Sequence, residues 1–234
     1  MTGKLFIIGV GPGDPVLVTV KAVQVLKSVR NVFVPISQKG RESLAYEIIR
    51  QHIPKGTAVT ELLFPMLRDR GMVEKHYIEN YKKIESVLSQ GNDAVLVTLG
   101  DPSTYSTSWP VFTLMQERAP DISVEVIPGV TSYSHGAARA EVPLAEGNEV
   151  LSIVSAYDSM ERIESVIDTS DTVVFLKTHK DRQKLLEIIE RRGLLSKCVY
   201  VKRCGLDGEM ILRNLKKMPE DVDYLSMIIL KKQK

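Results

Sequence analysis

A chain of 234 residues, 44% hydrophobic and 26% charged, has the balance of an ordinary soluble globular protein, with room for one large or two modest domains. A net charge of +2 with 6% aromatic residues leaves no footprint for nucleic acid, and no apolar run approaches the length of a membrane span. The two cysteines, Cys198 and Cys204, and the four scattered histidines match no zinc spacing, so free thiols and no metal site are expected.

In chain order, Lys4–Gly9 predicts a strand, entered at once from Met1 with no leader pattern, which points to the cytoplasm. Thr19 can cap a helix whose inner face is Ala22, Val23, Leu26 and Val29. Asn31–Val34 predicts a second strand closed by Pro35. Ser43 opens a helix with Leu44, Ile48 and Ile49 inward. Ala58–Leu63 predicts a third strand, and a long helix covers roughly Val73–Gln90, stopped by Gly91. Asp93–Thr98 predicts a fourth strand, and after a polar loop a helix runs to about Arg118. Ala119-Pro120-Asp121 is the best linker, giving domains 1–118 and 119–234. Beyond it, strands are predicted at Ser123–Ile127, Val150–Ser155, Thr172–Leu176, Val199–Arg203 and Tyr224–Leu230. Helices are predicted at Ser132–Ala140, Met160–Ile167 and Asp181–Arg192. Strict β-α alternation in the first half argues a parallel sheet, and the strand-rich end argues a mixed one.

Two loops stand out. Gly100-Asp101-Pro102-Ser103-Thr104-Tyr105-Ser106-Thr107 follows the fourth strand, where Gly100 permits close backbone approach and Pro102 stops the strand. Asp101 is an acceptor at a carboxyl strand end, where open α/β sheets bind ligands. Taken alone, this string serves a polar turn as well as a ligand loop. The other is Gly9-Val10-Gly11-Pro12-Gly13-Asp14. It fails the dinucleotide fingerprint, because Asp14 stands where a third glycine is required and the second predicted strand ends in Val34-Pro35 rather than an acid. A phosphate-binding Gly-Lys-Ser or Gly-Lys-Thr is absent as well.

Taken together, the Gly9–Asp14 string followed by Leu17, Thr19, Lys21 and Ala22, the Gly100-Asp101-Pro102 loop, and Ile127-Pro128-Gly129-Val130-Thr131-Ser132 resemble the three signatures of the tetrapyrrole methylases, in order and over nearly the whole chain. The resemblance implies an S-adenosylmethionine-dependent methyltransferase with two α/β domains, the cofactor in the cleft between them, S-adenosylhomocysteine as its product, and a homodimer. Gly100–Thr107, Glu125–Glu149, Phe64-Pro65-Met66 and Gly40–Ala45 look like the branch that methylates carbon 20 of precorrin-2, or of its cobalt-containing counterpart, on the way to cobalamin. Whether the acceptor carries cobalt stays open.

Carried over residue by residue, the resemblance places Pro12, Leu99, Gly100, Asp101, Thr104, Thr131, Ser132, Lys177, Gly205 and Leu206 on the cofactor. Lys177 departs from the methionine common at its position. Methyl transfer from a sulfonium asks the protein mainly to orient its partners, so no metal and no nucleophile are required. The acceptor is an anionic tetrapyrrole, for which Arg139, Tyr105 and Tyr133 are the expected contacts, with Lys39, Arg41, Arg68 and Arg70 as further cations. Tyr105, Tyr133, His135, Glu146 and Tyr157 could act as a base by position only, and the sequence singles out none. The rivals are a methylase of the same fold acting on another tetrapyrrole position, on a protein or on ribosomal RNA, of which the RNA enzyme should show a basic, aromatic face, and a non-catalytic nucleotide-binding regulator, which should show broken signatures.

Overall fold

The computed structural model describes residues 1–67, 69–156, 158–178, 182–219 and 223–233. The chain forms two compact units, Met1–Thr131 and Ser132–Lys234. In the first, β1 (Leu5–Gly9), β2 (Asn31–Ile36), β3 (Ala58–Leu63), β4 (Ala94–Thr98) and β5 (Val124–Ile127) form one sheet in the order β3-β2-β4-β1-β5. Every pairing in it is parallel. The helices are α1 (Val20–Ser28), α2 (Leu44–Ile49), α3 (Arg70–Leu88) and α4 (Trp109–Arg118).

Strand alternation sorts the side chains into two layers. Ile8, Val95 and Val97 pack on one face with Ala22 and Leu26 of α1 and Ile48 and Ile49 of α2. Leu5, Ile7 and Leu96 pack on the other with Ile84 and Leu88 of α3 and Val111 and Met115 of α4. Helices α1, α2 and α3 begin where side-chain oxygens meet free amides, whereas α4 has no side-chain cap. Thr19 Oγ1 accepts from Ala22 N at 3.3 Å, and Asp69 Oδ1 accepts from Gly71 N at 2.9 Å. Strand β2 runs past Pro35, where the sequence predicted an end. It pairs with β4 only through Phe33, so Pro35 faces β3 alone and its missing N–H costs no ladder bond on the β4 side.

The second unit contains α5 (Ser132–Arg139), β6 (Leu151–Ser155), α6 (Met160–Thr169), β7 (Thr172–Leu176), α7 (Arg182–Arg191), β8 (Cys198–Lys202), β9 (Met210–Leu212) and β10 (Ser226–Lys231). Its sheet runs β6-β7-β10-β8-β9 and is mixed: β6 and β7 are parallel, and β10 lies antiparallel between β7 and β8. Phe175, Tyr200 and Ile228 pack on one face with Ile163 and Ile167 of α6 and Leu185 and Ile189 of α7. Val174, Val201, Met227 and Ile229 pack on the other with Ala137 of α5. Gly136 explains how α5 lies so near: a Cβ there would stand 3.0 Å from Met227 Sδ.

The expected domain boundary at 118/119 is corrected. Strand β5 pairs with β1 from Leu5↔Val124 to Ile8↔Ile127, so Ala119-Pro120-Asp121 is a turn inside the first unit. Strand β9, only three residues long, was not predicted. Asp181, the expected start of α7, lies outside the described residues. No described helix is long and apolar enough to cross a membrane.

Candidate functional site

The strand order of the first unit determines where a ligand can lie. From β1 the chain crosses to β2 on one side, and β5 later joins on the other, so the order reverses around β1. Open parallel sheets bind ligands beyond the carboxyl ends of strands at such a reversal. The three singled-out strings leave the carboxyl ends of the adjacent strands β4, β1 and β5.

Their backbones touch. Gly11 N donates to Gly100 O at 3.1 Å, and Gly100 N donates to Gly11 O at 2.7 Å. A Cβ on Gly9 would stand 2.6 Å from Gly100 O and 2.7 Å from Gly129 N. A Cβ on Gly129 would stand 2.2 Å from Gly100 O. Glycine is thus required for contact at Gly9 and Gly129. At Gly100 the reason is different, a φ of 69°, since nothing lies within 4 Å of where its Cβ would be. The loop therefore presents bare backbone to open space, a surface on which a flat ligand can rest.

Asp101 is 8% exposed and fastens this junction. Its Oδ2 accepts from Gly129 N at 3.0 Å, and its Oδ1 accepts from Ser103 N at 2.9 Å and from the Ser103 hydroxyl. Both oxygens thus bind protein, although a carboxylate has room for a further donor. The loop closes on itself through Thr98 Oγ1 and Ser106 Oγ at 2.9 Å and Ser106 Oγ and Ser108 Oγ at 2.7 Å. Asp14 is also used locally, accepting from Val16 N at 3.0 Å. Pro12 is buried, Leu99 packs against the α1 layer, and Thr104 and Thr131 are half-buried. Tyr105 has a φ of 51° and, at 52% exposure, is one of the most open aromatic side chains described.

Within the second unit, Lys177 follows β7 with a φ of 59°, and burial holds its ammonium below the usual lysine range. Next to it, Thr178 Oγ1 and Ser226 Oγ lie 2.9 Å apart in the core. Gly205 N donates to Glu209 Oε2 at 2.8 Å. Arg139, expected on a substrate carboxylate, is engaged by a carboxylate of its own chain: Nη2 lies 2.5 Å and Nε 3.1 Å from Glu209 Oε1. The arginine in turn holds the Glu209 carboxyl below its ordinary value, helped by the Gly205 amide. Sequence reading passed over Glu209, whose partner is 70 residues away. Tyr133 packs against the α5-side core, Ser132 opens α5, and Leu206 is half-buried. Lys39 and Arg41 are exposed. Arg68 and Tyr157 lie outside the described residues, as does the side chain of Arg70.

The family model of the tetrapyrrole (corrin/porphyrin) methylases matches residues 4–218. The chain belongs to this family. Among relatives of this methylase is a probable cobalt-precorrin-2 C(20)-methyltransferase of Methanocaldococcus jannaschii, 38% identical over 234 residues, covering 99% of this chain and 97% of the relative. The cobalt-precorrin-2 C(20)-methyltransferase of Salmonella typhimurium is 32% identical, covering 100% and 98%. The fold matches a crystal structure of uroporphyrin-III C-methyltransferase from Thermus thermophilus complexed with S-adenosylhomocysteine, with TM-score 0.68, 19% identity and 98% of each chain covered. The methylase is accordingly an S-adenosylmethionine-dependent methyltransferase.

Proposed function

We propose that this methylase transfers one methyl group to carbon 20 of cobalt-precorrin-2, in the assembly of the cobalamin ring. The carrying observation is the 38% identity to a probable cobalt-precorrin-2 C(20)-methyltransferase over nearly the full length of both chains. The intact junction of the three glycine strings supports an active enzyme over a degenerate binding protein.

Bound S-adenosylmethionine supplies a methyl group already activated on a sulfonium. The protein's part is to hold and align. We assign the cofactor to the bare backbone at Gly100, with Pro12, Leu99, Asp101, Thr104, Thr131 and Ser132 around it. Lys177, Gly205 and Leu206 are added on family resemblance. Arg139, Tyr105 and Tyr133 are assigned to the tetrapyrrole. An acidic side chain of that substrate reaches Arg139 by displacing Glu209 or by taking the guanidinium's remaining N–H groups. A homodimer fits the family, and light scattering should then read about twice the 26.2 kDa chain mass.

The test uses carbon-13-labelled methyl donor with cobalt-precorrin-2 and, separately, precorrin-2. A single label on the meso carbon between rings A and D, formed faster with the cobalt substrate, is expected. A label on a ring carbon moves the protein to another step. Transfer only to protein or RNA overturns the reading.

A further inference from the structure

Three side chains that the methyl-transfer reading leaves unused as a group meet in the second unit. They are His135 on α5, Cys204 just after β8 and Glu209 just before β9. Their ligating atoms, an imidazole nitrogen, the thiol sulfur and a carboxylate oxygen, all lie within 4.8 Å of one another. Sequence spacing hid this set because its members come from a helix and two ends of one loop.

We propose that His135, Cys204 and Glu209 form a binding site for a thiophilic divalent cation of the zinc or cobalt(II) class. One nitrogen, one sulfur and one oxygen ligand form a donor set for these ions, and a site with three protein ligands keeps a fourth position open. Tetrahedral bonds of about 2.0–2.3 Å put ligand atoms roughly 3.3–3.8 Å apart, so the three need draw in by only about 1 Å. One thiolate and one carboxylate neutralise a divalent ion.

The surroundings position each ligand before any ion arrives. Gly136 lets α5 seat His135 close to the sheet. Cys204 is 6% exposed and is anchored by the end of β8. Glu209 is held by the Arg139 fork on Oε1 and by the Gly205 amide on Oε2. Metal ligands are commonly held by outer hydrogen bonds of this kind. Cys204 binds an ion as the thiolate, so binding releases the thiol proton. The ion takes the place of that proton and ties α5 to the β8–β9 loop.

The test titrates full-length protein, reduced and stripped with chelator, with Co²⁺ in the absence of oxygen and tetrapyrrole. One equivalent should produce a thiolate-to-cobalt charge-transfer band in the near ultraviolet and tetrahedral bands in the visible. Both should vanish on adding Zn²⁺. Cys198 is the only other thiol, and Cys198→Ala should keep the band while Cys204→Ser loses it. Glu209→Gln and His135→Gln should each weaken Co²⁺ binding at least tenfold, with circular dichroism confirming that each variant is folded. Absence of a thiolate band in the parent protein overturns the proposal. So does a band that survives Cys204→Ser, or tight binding unchanged in both folded Gln variants.

Discussion

Asp101 shows what one residue can and cannot reveal in a sequence. Its type and place, after a strand and before a proline, serve a turn as well as a ligand loop, and only the family resemblance puts it on the cofactor. Its structural duty depends on Gly129, 28 residues on, which no local pattern connects to it. Asp101→Ala should therefore act twice. It leaves the Gly129 and Ser103 amides without their acceptor, costing about 1–3 kcal/mol of stability by urea unfolding. It should also weaken S-adenosylhomocysteine binding in calorimetry, because the three strings lose their tie. Loss of binding with unchanged stability would show that Asp101 serves the ligand alone. Glu125 makes a different point, legible only in the structure. Lys21 and then Lys4 pull its carboxyl from 4.5 down to about 2, with Lys4 Nζ at 2.6 Å. A carboxyl lowered in the folded state contributes stability above pH 4.5, and that contribution is lost as pH falls toward 2. Glu125→Gln should thus be slightly less stable than the parent at neutral pH and converge with it near pH 2, in melts at low salt. Both lysines and the carboxylate are reached by solvent, so the difference is small and high salt should reduce it.

At the scale of elements, the pattern reading found nine of the ten strands and all seven α-helices among the described residues, because most of them bury apolar residues at their own period, although β3 buries little beyond Leu62. It missed β9, and it put a linker at Ala119-Pro120 because composition cannot tell a turn within a unit from a passage between two. Gly129 was legible as a loop residue and Gly136 as part of a helix, but which neighbour each must admit was not. The two should respond oppositely to the same substitution. Gly129→Ala drives a methyl to 2.2 Å from the Gly100 carbonyl, where rigid backbone from β1 and β4 cannot yield. Overpacking of this kind costs about 1–3 kcal/mol, and cofactor binding should fall with it. Gly136→Ala meets only the flexible end of Met227, at 3.0 Å, and gains about 1 kcal/mol of helix propensity. Its melting point should stay near that of the parent, or rise. Equal losses in the two variants would show that contact with the sheet, rather than rigidity of the neighbour, sets the cost.

At the scale of the whole molecule, the described residues form two sheets, each covered on both faces by its own buried layers. Such units can melt separately, which makes the extent of the cofactor site measurable without a bound structure. The proposed contacts draw on both units: Pro12, Asp101 and Thr104 in one, Lys177 and Gly205 in the other. A ligand stabilises whatever must be folded to bind it, by about 2.7 kcal/mol at a hundred times its dissociation constant. S-adenosylhomocysteine should therefore raise the unfolding free energy of both units if both supply contacts. Trp109, the only tryptophan, reports on the first unit through α4. Hydrogen exchange at the amides of β7 and β10 reports on the second. Saturating ligand should slow global exchange in β7 and β10 as it shifts the Trp109 fluorescence transition. Movement of the tryptophan transition alone would confine the cofactor to the three glycine strings and remove Lys177, Gly205 and Leu206 from its contacts.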